Sequence, residues 1–214
     1  MRKGAKSAVL LALLFLAGLA LLLYPLVSSR YNARRSAALI EDYTAVVADT
    51  PREDYSAWFA AADAYNASLT GKDVPDAFAA ITDEESANYL AQLAFDPDGV
   101  MGYISIPKIA VSLPIYHGTT PATLEKGAGH LEGSALPVGG AGTHSVISGH
   151  RGLPSALLFT DLDQMEVSDR FSLRILGEQL LYEVDQILVV EPDEVKPLLP
   201  VEGEDLVTLV TCTP

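Results

Sequence analysis

The chain contains one cysteine, Cys212, and four histidines, His117, His130, His144 and His150. These side chains can supply a nucleophile and a proton-transfer partner near neutral pH. Cys212 closes the run Asp205-Leu206-Val207-Thr208-Leu209-Val210-Thr211-Cys212. The apolar, β-branched stretch Leu206 to Val210 has the length and composition of a buried strand. A cysteine at the end of such a strand can leave the core and meet a substrate. With no second cysteine in the chain, an intrachain disulfide is excluded. Residue type alone leaves two readings of Cys212, a small apolar filler or a nucleophile.

A thiolate nucleophile needs a base or a cationic neighbour. His150 sits in Ser148-Gly149-His150-Arg151-Gly152, with glycine on both sides. There the backbone can turn, and an imidazole can project into a cleft. His117 and His130 fall in glycine-rich loops, where hydrogen-bonded structural roles are expected. His144 and His150 share one predicted strand and one face but lie ~20 Å apart, too far to bind one metal. No Cys-x-x-Cys or His-Glu-x-x-His spacing occurs, which argues against zinc. No Gly-x-Ser-x-Gly elbow is present, which argues against a serine hydrolase. Asp161, Asp163 and Asp185 could orient a histidine, but spacing selects none of them. No metal and no other cofactor is expected.

The elements that must position these groups follow from the pattern of residues 99–214. Met101 to Ile109, Val111 to His117, His144 to His150, Arg170 to Leu176, Gln179 to Val190 and Leu206 to Cys212 read as strands, and Gly129 to Val138 as a glycine-punctuated strand and loop. Pro107 and Pro114 demote the first two to edges or bulges. Thr123 to Gly127 reads as one helical turn, Ser155 to Met165 as a short helix, and Gly177-Glu178 as a hairpin turn. Many short strands with few helices predict a mainly β fold, a closed β-barrel.

Upstream the character differs. Residues 8–27 are nearly all apolar, and twenty residues of helix rise ~30 Å, the thickness of a bilayer core. Arg2, Lys3 and Lys6 precede this span, so residues 1–7 are expected in the cytoplasm and the rest outside. Arg30, Arg34 and Arg35 on the far side oppose that orientation, and a cleaved signal peptide is the competing reading. Residues 28–98 carry helical spacing, including Tyr55, Trp58, Phe59 and Ala62 on one stripe. A polar loop at 73–78 precedes a helix start at Thr82-Asp83-Glu84-Glu85. Asn66-Ala67-Ser68 matches the glycosylation sequon, a pattern short enough to arise by chance. Net charge is -14. All 28 acidic residues lie after Arg35, so the extracytoplasmic part repels phosphate backbones and nucleic-acid binding is disfavoured.

Thr208-Leu209-Val210-Thr211-Cys212 resembles the Thr-Leu-x-Thr-Cys signature of sortases, and Ser148-Gly149-His150-Arg151 resembles their histidine segment. Gly99 to Ile104, Pro107-Lys108-Ile109, Leu113 to Gly118, Gly129 to Gly133 and Gly142 to Val146 are similar, in order, to class C sortases, the pilin polymerases. The resemblance implies a sortase β-barrel over 99–214, with Cys212 as nucleophile and His150 as general acid toward the leaving amine. It implies a Leu-Pro-x-Thr-Gly-type sorting signal as substrate, a thioester at Cys212, and a pilin lysine as acceptor. Partners would be pilins or other surface proteins, at the membrane of a Gram-positive-type cell. Asp76-Ala77-Phe78 resembles the Asp-Pro-aromatic lid of class C sortases, with alanine in place of proline. Phe78 would cover Cys212, and Asp76 would pair with an arginine on the strand after the cysteine. The sequence ends at Pro214 before any such arginine, so the expectation is a truncated chain with little activity of its own. The alternatives are a sortase that attaches proteins to cell wall, a hydrolase using the same thioester, and a non-catalytic extracytoplasmic β-barrel that binds a partner.

Overall fold

The computed structural model describes residues 2–69, 82–192 and 194–213. Its first element is one continuous helix, α1 (Arg2–Asp49). Pro25 lies inside the apolar run, and no proline or glycine falls between that run and Pro51, so the helix does not stop at the end of the run. Along the run no described residue covers the side chains: Leu11, Phe15 and Leu21 are all exposed. The helix is long and apolar enough to cross a membrane, with mean hydropathy 2.6 over its best window.

Beyond Ser28 the same helix becomes one-sided. Ser36, Tyr43 and Val47 are buried, a spacing that puts them on one face. The Tyr43 hydroxyl donates to the Met101 carbonyl (3.2 Å) and accepts from the Leu176 N–H (2.8 Å). Phe95 and Tyr103 meet its ring edge-on. Helix α2 (Arg52–Ser68) packs the stripe of Tyr55, Trp58, Phe59, Ala62 and Tyr65 on the main core. Asn66 is buried, and its side-chain amide bonds both the N–H (2.7 Å) and the C=O (3.3 Å) of Leu136. The sequon asparagine is therefore committed to the fold and closed to a glycan. Helix α3 (Asp83–Ala91) starts on a capping box, Thr82 and Glu85 each satisfying the other's backbone N–H.

Seven strands follow: β1 (Val100–Ile106), β2 (Val111–His117), β3 (Ala128–His130), β4 (Thr143–Ser148), β5 (Arg170–Ile175), β6 (Glu178–Glu183) and β7 (Asp205–Val210). They form one sheet in the order β6-β5-β1-β2-β3-β4-β7, and a one-turn helix, α4 (Pro121–Leu124), joins β2 to β3. The sheet curls into a nearly closed barrel. Its two outer strands approach each other where the Tyr182 hydroxyl of β6 donates to the Asp205 carboxylate of β7 (3.0 Å). The interior holds Met101, Ile104, Ile106, Ile115, Ile147, Phe159, Leu173 and Ile175, each fully buried. Each such side chain contributes about 1.5–3 kcal/mol of burial.

Four local expectations change. Pro114 lies inside β2, an interior strand, opposite Tyr103. Its carbonyl faces Gly127, so its nitrogen also points away from β1, where the β2–β3 ladder has not yet begun. No ladder bond is lost. Residues 155–165 form turns and a short 3-10 segment, Leu162–Gln164, in place of an α-helix. Leu158, at positive φ (44°), interrupts any helical run. The hairpin turn is Leu176-Gly177, one residue earlier than expected, with φ of 49° and 84°. Positive φ at both positions gives the twist that a two-residue hairpin requires. Finally, β6 ends at Glu183, and Leu188, Val189 and Val190 are exposed outside the sheet.

Candidate active site

The β4–β7 pair is parallel, in register from Thr143↔Asp205 to Ser148↔Val210. The two segments stay side by side after the ladder ends. The Gly149 N–H donates to the Val210 carbonyl (3.0 Å), and the Thr211 hydroxyl donates to the Gly149 carbonyl (2.9 Å). His150 and Cys212 each lie two residues beyond the last register pair. Neighbouring strands are ~4.8 Å apart, so the imidazole and the thiol leave adjacent segments at one end of the barrel.

Cys212 is exposed and His150 is half-buried. Among the described residues neither side chain has a hydrogen-bond partner. The backbone beneath His150 is held firmly: its carbonyl accepts from the Phe159 N–H (3.0 Å). Gly149 rests on the Phe159 ring so closely that an added Cβ would lie 2.7 Å from Cγ. Glycine at 149 is required by this contact more than by any turn. Gly152, at φ +72°, supplies the turn, and its N–H donates to Thr160 Oγ1 (3.1 Å). Arg151 is drawn along the loop by Asp163 (2.9 Å). Asp161 accepts from Gln164 (3.0 Å), so neither of these aspartates orients an imidazole.

The other three histidines are committed to the fold. His144 Nδ1 meets the Leu199 carbonyl (3.0 Å) and Nε2 meets the Thr208 hydroxyl (2.6 Å). A carbonyl only accepts, so Nδ1 carries the proton and Nε2 accepts from Thr208. His130 is fully buried, with Nε2 donating to the Ala135 carbonyl (2.8 Å) and Nδ1 accepting from Tyr89 (3.0 Å). Burial pushes its pKa down to about 4. His117 donates from Nε2 to the Gln92 carbonyl (2.6 Å), and burial lowers its pKa too. Both rings flank Tyr89, which ties α3 to β2 and β3.

The structure thus brings Cys212 and His150 to one rim. Asp76 and Phe78 lie outside the described residues. Sequence reasoning missed Thr211 and Phe159 as supports of the site. For Thr211 the signal was present, as the second threonine of the Thr-Leu-x-Thr-Cys run.

The sortase domain family matches residues 104–214. The chain belongs to the sortase family. Sortase D of Bacillus subtilis (strain 168) is 30% identical over 149 residues, covering 69% of this chain and 72% of the relative. Sortase C1 of Streptococcus agalactiae superposes with a TM-score of 0.77 at 47% identity, covering 82% of this chain and 89% of that structure. Sortase C-1 of Actinomyces oris superposes with a TM-score of 0.70 at 46% identity, covering 74% and 89%. The mainly β barrel is therefore a sortase fold, and its structural neighbours are class C sortases.

Proposed function

We propose that this chain is a pilin-joining cysteine transpeptidase, with Cys212 as nucleophile and His150 as its proton-transfer partner. The observation that carries the reading is an exposed thiol beside a half-buried imidazole that has no hydrogen-bond partner among the described residues, at the end of two locked parallel segments. Identity of 46–47% to class C structures supports the pilin-joining variant.

In this reading Cys212 Sγ attacks the threonine carbonyl of a Leu-Pro-x-Thr-Gly-type signal, and the thiol proton passes to His150. The Thr–Gly C–N bond breaks, and the imidazolium delivers that proton to the departing glycine amine. The thioester conserves the acyl energy, so no nucleotide is consumed. An uncharged pilin lysine then attacks, His150 takes its proton, and the thiolate leaves as the isopeptide bond forms. An enzyme and a substrate tethered to the same membrane meet at raised effective concentration. Residues 8–27 are the anchor in this reading, with residues 1–7 cytoplasmic and the barrel outside. Asp76 and Phe78 act as a lid over Cys212, a role supported by the sequence resemblance.

The test is labelling by a Leu-Pro-x-Thr peptide ending in a chloromethyl ketone. It adds one peptide mass at Cys212, a scrambled peptide does not, and Cys212→Ala abolishes the adduct. Equal labelling by the scrambled peptide contradicts the reading. A lysine-bearing pilin fragment offered against a peptidoglycan-type amine separates pilus assembly from cell-wall anchoring.

A further inference from the structure

Helix α1 continues without a break from the apolar run onto the barrel, and two contacts just past that run reach the loop after His150. Asn32 Nδ2 donates to the Ser155 carbonyl (2.7 Å). The Ser28 hydroxyl lies 3.1 Å from the Pro154 carbonyl while also reaching the Tyr24 carbonyl (2.8 Å), so its one proton is shared. Ser28 directly follows the apolar run, and Asn32 is one turn farther, ~6 Å along the axis. Tyr43, which bonds Met101 and Leu176, is fifteen residues past Ser28, ~22 Å along the axis. Two attachment points at such different heights fix the tilt of the barrel on the helix. They place the end bearing His150 and Cys212 low and the β5–β6 hairpin high.

The low face has the chemistry of a membrane contact. Pro154 is exposed and Leu157 is 59% exposed, on the loop that α1 holds beside the end of its apolar run. Arg30, Arg34 and Arg35 are exposed on the first turns past the run and, among the described residues, form no ion pair. In a chain of net charge -14, these cations face the level where anionic headgroup phosphates lie.

We propose that the loop Arg151–Leu158 rests on the outer surface of an anionic bilayer, so that the Cys212–His150 cleft opens at headgroup level. The proposal rests on reading residues 8–27 as a membrane anchor. It adds that the enzyme receives its sorting signal at the lipid surface, where a substrate's own anchor emerges, and not from above the barrel.

The test uses the full chain, with Cys212→Ser, in phosphatidylcholine/phosphatidylglycerol vesicles. A fluorophore is placed on Leu157→Cys or on Glu178→Cys, the latter exposed on the high hairpin beside Gly177, which packs against Val47. Nitroxide-bearing lipids should quench the Leu157 site several-fold more than the Glu178 site. Equal quenching, or the reverse order, in chains that float with the vesicles after a carbonate wash overturns the orientation and leaves the anchor standing. Chains that do not float remove the anchor reading, and the proposal falls with it.

Discussion

The two ends of the β4–β7 pair each carry a histidine and are treated in opposite ways. At the amino end, Asp205 accepts from the Gly140 N–H (3.0 Å) and from Tyr182, and His144 has both ring nitrogens engaged. At the carboxyl end, the backbone is equally well tied through Gly149, Val210 and Thr211, yet among the described residues the side chains of His150 and Cys212 have no hydrogen-bond partner. One end spends its polar groups on closing the barrel. The other fixes its main chain and, among the described residues, leaves an imidazole and a thiol unpaired. Rigid backbone under unoccupied reactive groups is what preorganised chemistry needs, and a histidine alone does not mark it.

The sharpest way to break this comparison is to exchange the fates of the two histidines. His150→Ala should slow single-turnover cleavage of a sorting-signal peptide by about 100-fold or more, the usual range for a lost general acid, with little change in the urea midpoint. His144→Ala should do the reverse, costing about 1–3 kcal/mol of stability as Leu199 and Thr208 lose their partner. If both variants lose activity and stability alike, the division between the two ends is wrong.

A second prediction concerns His130, the most enclosed of the four. Its pKa is about 4 in the fold, against an ordinary 6.5. The unfolded chain therefore binds a proton at a pH where the native state does not. Stability should fall as pH drops from about 6.5 to about 4 and level off below, by roughly 3 kcal/mol at most. His117, shifted in the same direction, adds to the slope. Urea unfolding at pH 7.5, 5.5 and 4.5 measures it. His130→Gln should lower stability at neutral pH and flatten that slope.

The smallest effect is expected at the barrel closure. Tyr182→Phe removes one hydroxyl bond to Asp205 and should cost about 0.5–1.5 kcal/mol, read as a shifted denaturation midpoint. Cys212 labelling should be unaffected, because the closure lies at the opposite end of β7.

Much of this was legible in the sequence, for identifiable reasons. The apolar runs of β1, β4, β5 and β7 announced themselves by length and β-branching, and the capping box announced α3. The roles proposed for Cys212 and His150 rest on family resemblance, since residue type alone left Cys212 open. What could not be read was non-local. That β7 pairs with β4, Thr143 with Asp205 at the far side of β5 and β6 in the chain, depends on the whole sheet order. Pro114 is permitted inside an interior strand only because its neighbour's ladder starts one residue later. Leu158 breaks a plausible helix through a backbone angle that its side chain does not advertise. The unbroken course of α1 from the apolar run onto the barrel needed the docking of Tyr43 to be visible.

The account depends on residues 150 and 212 sitting side by side, and a cross-link reads this directly. Replacing His150 with cysteine, His150→Cys, puts a second thiol on the segment beside the native one, each two residues past the last in-register pair, and the ~4.8 Å spacing of neighbouring strands is inside the disulfide range. Mild oxidation of the dilute protein should close an intramolecular 150–212 disulfide, found as a loss of two hydrogens in the linked peptide pair, and His144→Cys should give none. Absence of the 150–212 link, or equal linkage from position 144, would contradict the shared rim on which the proposed chemistry stands.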